Sequence, residues 1–536
     1  MNLRGRCQQI LTVLRERGPQ SIRKLAQATG LPKSSVDRHC KGLHERARQV
    51  PEAELWEHEQ GAQWLRVLVL AVIFVFGLKG GVGVERISEF FHRVRLERYL
   101  AVSPSALRSL RTQMEAVILA YPAEQEQRFG QAGRRLEIVA GADETFFDQV
   151  VVLVMMDLVS GYLVLEEAAD NRTYDTWQER VQATVTRVGL ELRYVVSDRA
   201  KALIKLALKG LGCPSVPDLF HALRDLAKVM GVSLGLKLAQ VEEKLTHARQ
   251  QLGVLEAKGH DTHVQQRWLA HLSAQAEGLR ADQATYHRTL HQASQAVHPF
   301  TLAESQAQSS AQVESQLQQA VATLSILHAS HTARDNSAAV AKFQRQIPGI
   351  AALVDAWWLG VEHQIAPLAL DDPTHRWFQQ QLLPVVYWQA QVEKTKTPAL
   401  KTAYQQAFRQ AQAALLQHPL TATVTPPALE TYSAWARDLA GQFQRASSAV
   451  EGRNGYLSQL HHCARGIPTQ RLKVMTVIHN FDLKRADGTT AAERLFRTSF
   501  PDLFDWMVAR IAPLPVPRKS RTPAKFNPLK LLTVPA

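Results

Sequence analysis

Apolar residues in the first fifty positions recur at helical spacing. Ile10, Leu11 and Leu14 share one face, and Gly18-Pro19 ends that run. Ser21 stands where it caps a second helix carrying Ile22, Leu25 and Ala26. Gly30 suits a tight turn, and Pro32 starts a third helix with Val36 and Leu43 inward. The pattern predicts a helix-turn-helix over residues 1–50, with Lys33, Ser34, Ser35, Arg38, His39 and Lys41 facing outward toward a DNA major groove. A second trihelical unit is expected over 62–122, with helices at 64–76, 84–94 and 104–119. In it Arg108 and Arg111 are placed to meet phosphates. The run 64–78 is apolar apart from Arg66, reads as too short to span a bilayer, and is taken as a buried helix.

From Leu136 the period shortens to two. Strands are expected at 138–143, 150–156 and 162–167, a helix at 173–188, a strand at 192–197 and a helix at 199–208. This β-β-β-α-β-α order predicts an α/β core with a mixed sheet, first part 134–232. Residues 233–440 are rich in Ala, Gln and Leu and read as an α-helical insertion. Leu238, Val241, Leu245, Ala248 and Leu252 show heptad-like spacing there, which fits a helical hairpin within the chain or a seam with a second chain. The four tryptophans between 357 and 388 fit a core or, less simply, a base-stacking surface. The core resumes over 441–510, where Thr490 and Glu493 form a capping box, and 511–536 is a basic, proline-rich tail.

Charge changes this picture. The 536 residues carry a formal net charge of +14, concentrated at the two ends. Residues 1–48 hold eleven Lys and Arg against three Asp and Glu, and no acid follows Trp506. That distribution points to a polyanionic partner, double-stranded DNA. The four cysteines form no C-x-x-C pair, so a disulfide framework is not expected. His461-His462-Cys463 is set aside as a zinc site because adjacent helical residues diverge. The polar, basic N-terminus reads as no signal peptide, which with the cysteine usage implies the bacterial cytoplasm, at the nucleoid, and no membrane partner.

Three acidic residues carry the candidate chemistry. Leu136-Glu-Ile-Val-Ala-Gly-Ala-Asp143 and Leu192-Arg-Tyr-Val-Val-Ser-Asp198 are apolar runs that each end on an aspartate. Ser447-Ser-Ala-Val-Glu451-Gly-Arg-Asn454 opens a polar helix with Glu451. Carboxylate oxygens are hard ligands for Mg²⁺ or Mn²⁺, and two such ions about 3.5–4 Å apart serve phosphoryl transfer. Glu144 points to the opposite strand face and reads as a surface or supporting acid, while Asp157 is a reserve candidate. Arg224, Arg453, Asn454 and Arg465 are suited to hold phosphate or the scissile strand.

These pieces resemble the DDE transposases of bacterial insertion sequences, in the RNase H-like superfamily with retroviral integrases. The likeness covers residues 136–231 and 447–496 and includes Asp218-Leu-Phe-His221-Ala-Leu-Arg224, similar to the family's D-x-F-H segment. It implies an RNase H-like core interrupted by the insertion and two metal ions per site. Asp143 would bridge both ions, Asp198 and Glu451 would each hold one, and His221 would sit beside them or be a hydrogen-bonded core histidine. It further implies an endonuclease that cleaves element ends and joins them to target DNA, as a homodimer or higher oligomer on DNA. A DNA-binding regulator with a degenerate core, and a nuclease or resolvase without strand transfer, are the competing readings.

Overall fold

The computed structural model describes residues 3–49, 59–130, 135–148, 150–331, 337–464 and 466–515. Arg465 and the tail residues 516–536 lie outside them. The chain forms two compact units, one of Met1–Gln131 with Tyr456–Ala536 and one of Ala132–Gly455. The division falls within the helix Ser448–Ala464.

The first unit is helical. Its N-terminus has α1 (Leu3–Arg17), α2 (Ile22–Thr29) and α3 (Lys33–Gln49) around Ile10, Leu25 and Val36. Ser21 caps α2 by accepting from the Lys24 N–H, and Gly30 ends it at φ 67°, a left-handed conformation that costs glycine nothing. Helices Pro104–Gly130, Thr469–Phe481 and Leu503–Arg510 meet through Tyr121, whose ring lies 5.2 Å from Phe481 and 5.0 Å from Trp506. Thr490 and Glu493 make the expected capping box.

The apolar run at 64–78 requires correction. Its helix already includes Glu59, because Glu59, Gln60, Ala62 and Gln63 are good helix formers that outweigh Gly61, and it continues through a π-helical turn. The span Glu59–Lys79 has 21 residues and is long and apolar enough to cross a membrane. Leu65, Val69, Leu70, Ile73 and Phe74 are nonetheless buried, whereas Trp64 and Phe76 are exposed. Phe74 packs on Phe504, and Arg66 donates to the Val508 carbonyl at 2.7 Å. One face therefore serves the core of this unit.

The second unit carries one mixed sheet: β1 (Leu136–Phe147), β2 (Val150–Asp157), β3 (Leu163–Ala169), β4 (Leu190–Ser197) and β5 (Ser215–Pro217). The order is β3-β2-β1-β4-β5. β1–β2 and β2–β3 are antiparallel, whereas β1–β4 and β4–β5 are parallel. β1 is longer than its apolar run predicts. The hairpin with β2 carries it on to Phe147, so Asp143 sits inside the strand, opposite Val154. Asp157 is buried at the β2–β3 turn, where it accepts from the N–H groups of Val139 and Ser160. That staple leaves it no role among the candidate acids.

Among its described residues the insertion is helical apart from connecting loops and an isolated bridge between Phe300 and Ala307. The helix Leu219–Ala257 folds back against His263–Ala296. Val241, Leu245 and Ala248 are buried, as are Leu272, Ala276 and Leu279 on the returning helix. The same pair is laced by Arg280–Glu242 and by Tyr286 donating to the Ala227 carbonyl. The centre of the heptad-like stripe is thus covered from within the chain, while Leu238 and Leu252 at its ends are half-buried. Trp357, Trp377 and Trp388 are buried, which excludes them as a base-stacking surface. Beside them His298 bridges the Tyr387 and Tyr404 hydroxyls at 2.5 and 3.0 Å, and burial holds its pKa well below the usual histidine value.

Candidate active site

The pairing of β1 with β4 brings the two aspartates together. The last parallel partners are Gly141 and Val196. Two further residues along both strands place Asp143 opposite Asp198, past the end of the ladder, where both carboxylates are free of strand pairing on that edge. Asp198 is exposed, and its Oδ1 accepts from the Ala200 N–H at 2.9 Å.

Glu451 arrives from the far side of the insertion. Its helix, Ser448–Ala464, lies on β1 through Val450, which is fully buried. A Cβ on Gly141 would stand 2.7 Å from Leu158 Cδ2 and 3.0 Å from Val450 Cγ2. Only glycine allows this approach. One turn on from Glu451, Asn454 donates to Asp143 Oδ2 at 3.0 Å.

A second joint fixes the same helix at its start. Asp218 caps Leu219–Ala257 by accepting from the His221 N–H, and also accepts from the N–H and hydroxyl of Ser447. Burial pushes Asp218 up, but the hydrogen bonds from His221 and Ser447 outweigh it and hold it below the usual carboxylate value. His221 then stands between two acids, Nδ1 at 3.2 Å from Asp218 and Nε2 at 3.0 Å from Glu451. Its hydrogen bond to Asp218, followed by the two negative charges, raises its pKa against the opposing effect of burial. Arg224 reaches Glu451 at 3.5 Å.

Arg453 does not face a DNA strand. It is buried and forms a two-pronged pair with Glu166 of β3, at 2.6 and 2.8 Å. His39 is likewise turned inward, with Nδ1 3.9 Å from Cys7 Sγ, because its position on α3 falls on the core face. Lys33, Ser34, Arg38 and Lys41 are exposed and Ser35 is half-buried; Lys41 pairs with Asp37. Arg108 pairs with Glu85, and Arg111 with Glu115 at 3.5 Å.

Glu144 is nearer the chemistry than its strand position suggests. Its side chain is only 3% exposed, Arg172 lies 3.7 Å from Oε1, and that oxygen has no hydrogen-bond partner. Burial, then the Asp198 charge, push it up to about 7. Burial likewise pushes Asp143 up to about 6, with Asp198 and Glu451 adding and His221 opposing. Hard anionic oxygens short of partners fit a divalent cation in kind. The spacing does not close around one: among the described residues, no three His, Cys, Asp or Glu side chains could hold a common ion. Glu451 is engaged instead by His221 and Arg224.

These shifts predict a pH dependence. A carboxylate raised on folding destabilises the fold above its unfolded pKa, and that penalty is relieved as pH falls through the folded value. A histidine raised on folding adds stability that is lost as pH rises through its folded value. Asp143, Glu144 and His221 therefore act in one direction. Without divalent ions, unfolding free energy is expected to rise as pH falls from about 8 to 5, by on the order of 1 kcal/mol per carboxylate after solvent screening. Denaturant titrations across that range check it, and Asp143→Asn should flatten the profile.

Sequence reasoning missed Glu166, Ser447 and the capping role of Asp218. A glutamate in the apolar strand Leu163-Val-Leu-Glu166 was a signal for a buried partner. Asp218 directly before a helix was a signal for a cap.

Residues 6–46 match the IclR helix-turn-helix domain, and residues 378–523 match a family of unknown function, DUF6399. The chain therefore carries an N-terminal helix-turn-helix DNA-binding domain and, further on, a DUF6399 domain that takes in Glu451 and Asn454. A comparison with curated proteins finds no match.

Proposed function

We propose that this chain is a DNA transposase of the DDE type, which binds the ends of an insertion sequence, cleaves there and joins the ends to target DNA. One observation carries the reading: the β1–β4 register and the Gly141–Val450 contact bring Asp143, Asp198 and Glu451, from segments far apart in the sequence, within electrostatic reach of one another without closing them around one ion. The strand order, with an antiparallel meander leading into a parallel edge, supports an RNase H-like core. The helix-turn-helix domain supports recognition of double-stranded DNA.

Bound by Asp143, Asp198 and Glu451, Mg²⁺ or Mn²⁺ would supply activation of a hydroxyl and neutralisation of phosphate charge. The chain's own residues set the stage for it. Asn454 orients Asp143, Asp218 and Ser447 fix the start of the Glu451 helix, and His221 and Arg224 hold the Glu451 carboxylate. His221, held between two carboxylates, keeps a proton at Nε2 on the Glu451 side.

Nicking of plasmid DNA carrying element ends is expected to require Mg²⁺ or Mn²⁺ and to fail in Ca²⁺ alone, whose looser coordination positions reacting oxygens poorly. Undiminished nicking in EDTA would remove this reading. The second reading, a DNA-binding regulator with a degenerate core, is favoured by the spacing of these acids, since among the described residues no three such side chains could hold one ion. It predicts specific binding with no nicking in any of these ions.

A further inference from the structure

The base of the helical hairpin meets one residue, Arg445, in the loop between the helices Pro426–Gln442 and Ser448–Ala464. The Arg445 carbonyl accepts from the Leu219 N–H at 2.9 Å, one of the donors that a helix leaves open at its start. Its guanidinium donates to the carbonyls of Ser294 and Val297, the latter at 3.0 Å, where the returning helix His263–Ala296 ends. A cation suits that end, because the last carbonyls of a helix have no partner within it and carry partial negative charge. One residue therefore serves both helix ends.

The guanidinium also donates to the Tyr404 hydroxyl at 3.1 Å. Tyr404 is fully buried, so its own proton goes to its other partner, His298 Nε2 at 3.0 Å. His298 is then the neutral tautomer with its proton on Nδ1, toward the Tyr387 hydroxyl, in agreement with its lowered pKa. Among the described residues the Arg445 side chain meets neutral oxygens and no carboxylate. An apolar side chain would fill this half-buried place without desolvating a charge, so packing does not account for a guanidinium. Three acceptors in fixed directions instead hold its planar fork in one orientation.

Two elements that bear on Glu451 leave this base. The helix Leu219–Ala257 carries His221 and Arg224 near its start, and both reach the Glu451 carboxylate. Glu451 itself follows Arg445 by six residues, and Ser447 between them is held by Asp218.

We propose that Arg445 is a positioning residue for Glu451, setting the start of the Glu451 helix against the helix that carries His221 and Arg224. The proposal rests on the reading of Glu451 as an acid that serves cleavage. It makes the insertion a support for the acid site rather than a length of chain that only closes a loop.

Arg445→Ala in the full-length protein tests this. Nicking of end DNA in Mg²⁺ at saturating DNA is expected to fall roughly a hundredfold, the scale of displacing a reacting group by about 1 Å, while half-saturation by DNA stays unchanged. Tyr404→Phe is the milder variant, since it keeps the ring stacked on Trp388 and removes one acceptor, and should lower nicking roughly tenfold. In a Glu451→Gln background either substitution should cost less than about twofold more, because the carboxylate they position is gone. Amide exchange read by mass spectrometry should quicken in Ser448–Ala464 and in the first turns of Leu219–Ala257, and stay unchanged in Thr469–Phe481. Nicking unchanged in both variants of a protein that nicks, or additive losses in the Glu451→Gln background, overturns the proposal. So does quickened exchange in His263–Ala296 with Ser448–Ala464 unchanged, which marks a contribution to the insertion's stability alone. Quickened exchange in Ser448–Ala464 in a protein that never nicks would support the positioning while removing the transposase reading, so the two fail separately.

Discussion

Asp143→Asn, Asp198→Asn and Glu451→Gln are each expected to lower cleavage by roughly a hundred- to a thousandfold or more, the scale of losing one electrostatic contributor in a preorganised site. Each substitution keeps the size of the side chain and removes one negative charge. The amide oxygen introduced at position 143 would still accept from Asn454, and the one introduced at position 451 would still accept from His221, so the fold should survive. DNA binding should survive as well, because the exposed Lys33, Ser34 and Arg38 lie in the other compact unit. Cleavage and gel-shift assays on one preparation decide the point. Full cleavage by any variant ends that residue's assignment. Loss of binding together with cleavage would mean that the acids support folding rather than chemistry.

The second large effect concerns a pair that touches no substrate. Arg453 and Glu166 are 4% and 0% exposed at their side chains, so both charges are out of water. Removing one partner leaves the other buried without its two-pronged ion pair. Arg453→Met or Glu166→Leu alone is therefore expected to cost about 3–5 kcal/mol of stability. The double substitution to Met and Leu should recover most of it, since two apolar groups of similar volume remove the desolvation penalty altogether. Denaturant unfolding of the four proteins gives the coupling directly. Because Arg453 is two residues from Glu451, the single variants should also lose cleavage through displacement of the acid. The double variant then separates fold from positioning. Restored stability with restored cleavage makes the pair a fold element, whereas restored stability without cleavage makes it a positioning device. Additive single losses would contradict the coupling itself.

The local elements were legible in the sequence. Ser21, Gly30 and Pro32 mark the helix-turn-helix because caps, left-handed turns and helix starts depend on one or two residues each. The alternation from Leu136 onward marks the strands for the same reason, and the caps at Thr173 and Thr490 follow the same logic. Such signals lie within a few positions of the structure they set. The strand at β1 ran longer than its own apolar pattern because its end is determined by β2, which no local window contains.

What the tertiary structure alone decided is which side of each element is covered, and by what. Leu238 to Leu252 carry a stripe that suits a partner chain and a folded-back helix equally, and the return of His263–Ala296 covers its centre. His39, Arg453 and Glu144 have the chemistry of surface or DNA-facing groups, yet all three side chains are buried, by Cys7, by Glu166 and beside Asp198. Trp64 to Leu78 carry enough apolar residues for a membrane or a core, and contacts with Phe504 and Val508 place one face in the core. The physical reason is common to these cases. A sequence specifies the free energy of exposing a side chain, whereas its burial, pairing and charge state depend on groups that arrive from distant parts of the chain.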